Sequence, residues 1–200
     1  MKALASLTAY PLAALAAAVA PRAGSVPPGP WTAGVWKIAQ GTDVFFFGTT
    51  INANNGKFWI NKETTAYCPS DVEGLDCSKY PGSETVFAGG NGTISLNVGV
   101  PGGQQVYIAE DGSLSYTEPH SGALPHGANA TGFSRQRSES FGAPVNLYTT
   151  NGYWYICPFG EGEPREKPYQ LYVGPPEREG CYGTMVRTYQ AEGISAWEYL

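Results

Sequence analysis

The 200-residue chain is predicted to be all-β: a single compact antiparallel barrel or sandwich, or a β-trefoil, stapled by two disulfides. Three observations predict this class. Turn-forming glycine (26) and proline (16) accompany many strand-favouring tyrosines (13) and tryptophans (5). Apolar residues recur at every second position, and no window shows the 3.6-residue stripe of an amphipathic helix. Four cysteines are available for bridges.

The first twenty residues have the pattern of a secretory signal peptide. Lys2 precedes an Ala/Leu-rich run, and Ala18-Val19-Ala20 supplies the small residues of a cleavage site. The run is short for a membrane span, and Pro11 interrupts it. We therefore predict three segments: a signal peptide over 1–20, a proline-rich leader over 21–33 and one all-β domain over 34–200.

The first strands of the domain surround a clear turn signal. Residues 44–47 form an apolar run that suits a strand buried on both faces, and residues 57–60 form a second strand. The Asn-Asn-Gly sequence at 54–56 predicts a turn between them. Residues 64–83 contain two cysteines with Pro, Asp and Gly, which indicates a stapled loop.

A meander follows, and it is the clearest part of the pattern. Apolar residues alternate with polar or small ones over 94–100 and again over 105–109, and a return strand begins at Leu114. The Pro-Gly-Gly sequence at 101–103 and the Asp-Gly pair at 111–112 predict the turns that connect these strands.

The last third of the chain begins with an aperiodic stretch. Residues 118–144 predict an exposed loop with a short strand near 131–134. Strands are then predicted at 147–148, 153–156, 169–173 and 182–189. The Asn-Gly pair at 151–152 predicts a hairpin turn between two of them.

The cysteines are expected to pair, because a secreted chain folds in an oxidising compartment. Cys68, Cys77, Cys157 and Cys181 allow three connectivities. The nearest-neighbour connectivity closes two short loops, which would contribute roughly 2.7 and 3.5 kcal/mol in the chain-entropy description. A metal site is not expected from these residues, since they lack C-x-x-C spacing and neighbouring histidines.

The composition argues against two classes of partner. Asp and Glu (17) outnumber Lys and Arg (12), and the formal net charge is −5. Nucleic acids and anionic lipid surfaces require dense positive charge, and no basic run is present. No segment after the signal reaches the roughly 18 apolar residues of a membrane-spanning helix. We expect neither nucleic acid nor a membrane as a partner.

No catalytic signature stands out. The two histidines, His120 and His126, lie in one Gly/Pro-rich loop, and no G-x-S-x-G motif is present. The acidic residues lie mostly in turns, so no pair can be selected for the two-carboxylate chemistry of a glycosidase. We therefore assign no catalytic residue, no metal and no cofactor.

Two kinds of surface site remain. The sequons at Asn91 and Asn129 predict N-glycans where they are exposed. Sugars stack on the faces of Trp and Tyr rings, so outward-facing aromatics predict a ligand surface, whereas inward-facing ones fill the core. The candidate ligand-binding aromatics are Trp59, Tyr107, Tyr116, Tyr153, Trp154 and Tyr155.

The chain also resembles a known family. The most specific segments of the resemblance are GGQQVY and DGSLSY, both within the stretch GGNGTISLNVGVPGGQQVYIAEDGSLSYTEPHSGALPHGA. The segments GKFWINKETTAYCP, YWYICPFG and CYGTMVRT fit the same pattern. Over residues 40–190 the chain is similar to small fungal secreted proteins known as IgE-binding or cell-wall proteins, which include relatives of a cell-wall protein of phialide development. The resemblance implies secretion, an all-β fold, and a place in the cell wall or culture fluid. It brings no catalytic residues.

Together, these observations predict a secreted, extracellular or cell-wall protein of a fungus, non-enzymatic and binding polysaccharide. Two alternatives stay open. One is a glycan-active hydrolase with a carboxylate pair that the sequence does not identify. The other is an effector that engages a host protein through residues 118–144.

Overall fold

The computed structural model describes residues 26–38, 46–139 and 142–200. The predicted signal peptide, the start of the leader and residues 44–45 lie outside the described residues. No helix within the described ranges is long and apolar enough to cross a membrane. The elements are β1 (Trp31–Lys37), β2 (Phe46–Thr50), β3 (Asn52–Asn54), β4 (Lys57–Ile60), β5 (Ala66–Tyr67), a 3-10 turn (Cys77–Lys79), β6 (Phe87–Leu96), β7 (Gln104–Ile108), β8 (Leu114–Tyr116), β9 (Phe133–Arg137), β10 (Val145–Thr149), β11 (Trp154–Pro158), β12 (Tyr169–Val173), β13 (Tyr182–Gln190) and β14 (Glu198–Tyr199).

Nine of these strands close into an antiparallel barrel, in the order β10-β9-β6-β7-β8-β4-β12-β11-β13 and back to β10. The ring closes on the long strand β13, whose Thr184 pairs with Trp154 of β11 and whose Val186 pairs with Leu147 of β10. Strands β1 and β2 continue from the other edge of β13. The all-β prediction is therefore confirmed, and of the three architectures left open the barrel is the one observed.

Aromatic rings pack among aliphatic side chains in the buried core. Trp31 is fully buried, stacks on Phe87 with ring centroids 4.7 Å apart, and donates a hydrogen bond from its indole to the carbonyl of Gly89. Strand β1 starts at Trp31, inside the segment that we assigned to the leader. The prolines just before Trp31 conceal this core residue in the sequence.

The predicted meander and its turns are confirmed as β6, β7 and β8. The predicted turn between β3 and β4 is also observed. Asn55 and Gly56 both have positive φ angles, of 50° and 68°, as a tight primed hairpin turn requires.

Two local predictions were wrong. Phe46 is buried, but Phe47 is 58% exposed, so β2 is not buried on both faces. The Asn-Gly pair at 151–152 forms a turn, but β10 and β11 do not pair with each other, because both run along β13 one after the other. The turn at 150–153 therefore projects from an interrupted strand.

The cysteines form the nearest-neighbour bridges Cys68–Cys77 and Cys157–Cys181. The first closes the loop between β5 and the 3-10 turn. The second joins β11 to the residue before β13, and it thereby encloses β12 and the two loops on either side of it, 159–168 and 174–180.

Candidate functional site

A row of large side chains crosses four neighbouring strands on the outside of the barrel. Trp36 of β1 lies opposite Phe47 of β2 on one side and Met185 of β13 on the other. Tyr148 of β10 continues the row, because the residue before it pairs with the residue after Met185. Alternate residues in these strands are buried, so these four side chains share the outward face.

We call this surface the open face. Its large side chains are exposed or half-buried, and Tyr153, in the turn at 150–153, is 81% exposed. The aromatic and apolar members of the open face are Trp36, Phe47, Tyr148, Tyr153, Tyr155, Met185 and Tyr189. Exposed apolar patches of this kind on soluble proteins mark interaction sites.

Two shallow depressions run into each other on the open face. A groove of about 570 Å³ is lined by Trp36, Tyr155 and Tyr182, and a smaller pit of about 200 Å³ is lined by Leu147 and Tyr148. Both depressions share Tyr153 and Met185 as lining residues, so they form one continuous surface.

Contacts on three sides hold Trp36 in place. The Arg187 guanidinium lies 3.8 Å from the centroid of the Trp36 ring, and Phe47 meets the ring edge-on at 5.6 Å. The indole N–H donates a hydrogen bond to the hydroxyl of Tyr189. The ring is therefore oriented before any ligand arrives.

A glycine pair makes room for this arrangement. A Cβ on Gly34 would lie 2.9 Å from the carbonyl oxygen of Gly48. Gly48 has a φ of 74° at the point where the register between β1 and β2 shifts. The resulting bulge brings Phe47 opposite Trp36.

The backbone of Tyr153 is also fixed. Its carbonyl accepts a hydrogen bond of 2.9 Å from the amide of Gly174. In the turn just before it, the amide of Thr150 donates a hydrogen bond to the carbonyl of Gly132. The exposed phenol ring therefore projects from a rigid base.

The structure divides the six candidate aromatics into three pairs. Tyr153 and Tyr155 lie on the open face. Tyr116 and Trp154 are buried in the core, where Tyr116 packs edge-on against Phe58 and the indole of Trp154 donates to the carbonyl of Leu147. Both rings are buried, so neither presents an open face on which a sugar could stack.

The third pair, Trp59 and Tyr107, is directed away from the core but is covered. Trp59 is 6% exposed, with Phe159 edge-on at 5.2 Å and the Lys62 ammonium 4.4 Å from its ring centroid. We call this surface of β4, β7 and β12, with Trp59, Tyr107 and Tyr172, the covered face. Its rings are enclosed by protein, so they offer no free platform either.

The loops enclosed by Cys157–Cys181 provide the cover. Asn61 donates from its amide to the carbonyls of Arg165 and Lys167, at 2.7 and 3.1 Å, which ties loop 159–168 to the end of β4. Arg178 of loop 174–180 donates to the hydroxyl of Tyr172 at 3.0 Å and lies over the ring of Phe159. These loops come from the segment GEGEPREKPYQLYVGPPEREG.

A polar network lies beneath the covered face. The Lys57 ammonium donates to the hydroxyls of Ser113 and Ser115, at 2.8 Å each, and Ser113 donates to Asp111 at 2.6 Å. Both serines are fully buried, so neither is available as a nucleophile. The network satisfies polar groups that would otherwise be buried without partners.

Carboxylates gather at one groove of about 580 Å³, lined by Glu110, Asp111 and Glu177. Partial burial acts to raise the pKa of Asp111, but hydrogen bonds from the Ser113 hydroxyl and amide, together with Lys57, outweigh it and hold the pKa below its usual value. Asp111 is thus kept as a carboxylate and is unsuited to act as a general acid. No cluster of three or more metal-ligating side chains occurs within the described ranges.

Both sequons are accessible. Asn91 is exposed on β6. Asn129 is exposed as well, and its side-chain oxygen accepts hydrogen bonds from the amide and the hydroxyl of Thr131, at 2.8 and 2.9 Å. Glycosylation at these two sites remains a prediction.

Sequence reasoning missed most of the open face. Phe47, Tyr148, Met185 and Tyr189 were not among the candidates. One signal was present in β13, where Met185, Arg187 and Tyr189 alternate with the buried Val186 and Thr188. The alternation identifies an outward face but does not tell whether a loop covers it.

The sequence was compared with known proteins. The profile of the PhiA-like secreted protein family matches residues 34–200. An uncharacterized secreted protein of Arthroderma benhamiae is 42% identical over 166 residues, which is 74% of this chain and 76% of the relative. No solved structure matches.

Proposed function

This chain belongs to the PhiA-like secreted protein family, and from that premise we propose that it is a non-enzymatic cell-wall protein that holds polysaccharide on its open face. Secretion places the protein where wall polymers are. The open face is the contact surface for the polymer, and the rest of the barrel holds that face rigid.

One observation carries this proposal: the uncovered cross-strand row from Phe47 through Trp36 and Met185 to Tyr148. A sugar ring presents C–H groups on its face, and these pack well on an aromatic ring that is large, rigid and not enclosed by a loop. A row of such platforms suits a chain of sugars. The shallow depressions leave a long ligand room to extend beyond the protein in both directions.

The position of the carboxylates supports binding rather than hydrolysis. The strands that build the open face, β1, β2, β10, β11 and β13, contain no Asp or Glu. A glycosidase needs two carboxylates on either side of the bond that it cleaves. The carboxylate groove with Glu110 and Glu177 belongs to the covered side of the barrel instead.

The test is retention of the mature protein, residues 21–200, on insoluble β-glucan, chitin, cellulose and whole fungal wall. We expect retention on at least one polymer, competition by its soluble oligomer, and a roughly 3- to 10-fold loss of affinity in Tyr153→Ala from the lost stacking of one ring. Trp36→Ala should lose more, because it also releases Arg187 and Phe47.

The matched control is Tyr67→Ala. Tyr67 is also an exposed tyrosine, but it lies in the separate two-stranded sheet of β5 and β14. Equal affinities for wild type, Tyr153→Ala and Trp36→Ala would rule out the open face. Release of soluble sugars during the incubation would instead favour the hydrolase alternative, and Glu110→Gln and Glu177→Gln would then locate its site.

A further inference from the structure

The open face differs in charge from the rest of the molecule. The whole chain is acidic, with 17 Asp and Glu against 12 Lys and Arg. The five strands of the open face carry no carboxylate, and their charged residues are Lys37 and Arg187. A negative ligand is therefore repelled by much of the protein surface but not by this part of it.

Arg187 stands out among the outward side chains of the open face. Its guanidinium is stacked on Trp36, 3.8 Å from the ring centroid. This stacking fixes the orientation of the planar group of N–H donors. Within the described residues, no carboxylate forms an ion pair with it, and its buried Nε has no hydrogen-bond partner. A guanidinium that has no carboxylate partner is free to form charge-assisted hydrogen bonds with an anionic ligand.

The residue across the strand from Arg187 shows the same feature. Asn146 pairs with Arg187 in the β10–β13 register, is 7% exposed, and its side-chain oxygen has no hydrogen-bond partner among the described residues. A buried donor and a buried acceptor thus belong to cross-strand neighbours and have no partners, which is unusual for buried polar groups.

We infer that the polysaccharide held by the open face is acidic, with a sugar carboxylate bound by Arg187 while neighbouring sugar rings stack on Trp36 and Tyr153. This inference rests on the function proposed above and adds the substrate class. The guanidinium donates two N–H hydrogen bonds to the carboxylate in the two-pronged geometry that arginine favours, and the aromatic row carries the uncharged part of each sugar.

The experiment compares three soluble polymers by their binding to the mature protein: polygalacturonate, its fully methyl-esterified form and polyglutamate. The ester keeps the sugar backbone without the charge, and polyglutamate keeps the charge without the sugar. We expect polygalacturonate to bind at least 10-fold more tightly than either of the others. The difference should shrink as salt is raised, since exposed charge pairs are screened.

Two substitutions at Arg187 locate the effect. Arg187→Gln should bring the affinity for polygalacturonate down to that for the ester, so that the preference for the charged polymer disappears; the affinity for the ester should also fall, because the ring of Trp36 loses its contact with Arg187. Arg187→Lys should restore part of the preference, because it keeps the charge but not the planar fork. A circular dichroism spectrum like that of the wild type shows that each variant is folded.

The outcomes separate this inference from the proposed function. If polygalacturonate and its ester bind alike and Tyr153→Ala weakens both, the inference is overturned and the proposed function stands. If polyglutamate binds as tightly as polygalacturonate, the attraction is to charge alone and the inference also fails. If Tyr153→Ala and Arg187→Gln affect no polymer, both the inference and the proposed function are wrong.

Discussion

The barrel displays aromatic residues on two faces, and only one of them is accessible. Trp36 on the open face and Trp59 on the covered face both lie in strands, and both contact a cationic side chain and the edge of a phenylalanine. The difference lies in the loops. Loops 159–168 and 174–180 close over Trp59, whereas Trp36 borders a groove.

This difference shows that the accessibility of an aromatic residue is decided by segments remote from it in sequence. The cover over Trp59 comes from residues about 100 positions later and is tied down by hydrogen bonds from Asn61. Burial of such a ring removes a large apolar area from water, so covering it stabilises the fold. The open face forgoes that stabilisation, which is expected where a surface is kept for a partner.

The largest expected difference between the two faces is in the free energy of unfolding after one ring on each face is truncated to alanine. Trp59→Ala should lower the free energy of unfolding by about 3–5 kcal/mol, since it leaves a cavity between β4 and its covering loops. Tyr153→Ala should change it by no more than about 0.5 kcal/mol, because the ring is exposed. Urea unfolding followed by circular dichroism measures both values.

The two faces would be energetically equivalent if both substitutions destabilised the protein equally. Polymer binding gives the converse readout from the same two variants. Trp59→Ala should bind the polymer with the affinity of the wild type, whereas Tyr153→Ala should show the roughly 3- to 10-fold loss given above.

Removing the bridge over the covered face tests what holds the loops in place. The double variant Cys157→Ala/Cys181→Ala should lose roughly 3.5 kcal/mol of stability on the chain-entropy description. Because the bridge encloses both covering loops, the indole N–H of Trp59 should also exchange faster with solvent.

The other bridge supplies the matched control. Cys68→Ala/Cys77→Ala removes a shorter loop, for which the same description gives a loss of roughly 2.7 kcal/mol, and this bridge lies away from both aromatic faces. Exchange at Trp59 should stay as in the wild type. Faster exchange in both variants would mean that global stability, rather than the local bridge, keeps the covered face closed.

The smallest of the three effects comes from the interior behind the two faces and depends on pH. Burial raises the pKa of Tyr199 to about 12, despite a hydrogen bond from the amide of Val86. The folded state thus keeps a proton that the unfolded state loses near pH 10. This contribution, about 2–3 kcal/mol, is complete below pH 10 and is lost as the pH rises towards 12.

Unfolding measured at pH 9 and pH 11.5 checks this dependence. Tyr199→Phe should be less stable at pH 9, because it loses the hydrogen bonds with Val86 and Glu84, and it should show a shallower decline with pH. A decline as steep as that of the wild type would assign the dependence to other tyrosines.

Local patterns made much of the fold predictable. The alternation over 94–100 and the turn pairs at 55–56 and 111–112 depend on neighbouring residues, and the strands and turns occur where they indicate. The nearest-neighbour disulfides also follow from short loops. The start of β1 was not predictable, because the burial of Trp31 depends on Phe87, more than 50 residues away.

The candidate site was less predictable for a related reason. The sequence identified Tyr153 and Tyr155, but it placed Trp59 and Trp154 in the same class, since alternation shows which residues share a face and not what lies against that face. Phe47 was missed because the apolar run containing it resembles a fully buried strand. Only the bulge at Gly48 turns its side chain out beside Trp36.

The row on the open face is also twisted along its length. Neighbouring strands in a sheet are rotated by roughly 20–25° relative to each other. A row that crosses from β2 to β10 through β1 and β13 therefore turns by about 60–75° from its first ring to its last. The pinned ring of Trp36 cannot swivel to flatten this surface. Under the function proposed above, the row would fit a single sugar chain that winds about its own axis better than it would fit the flat surface of a crystalline polymer.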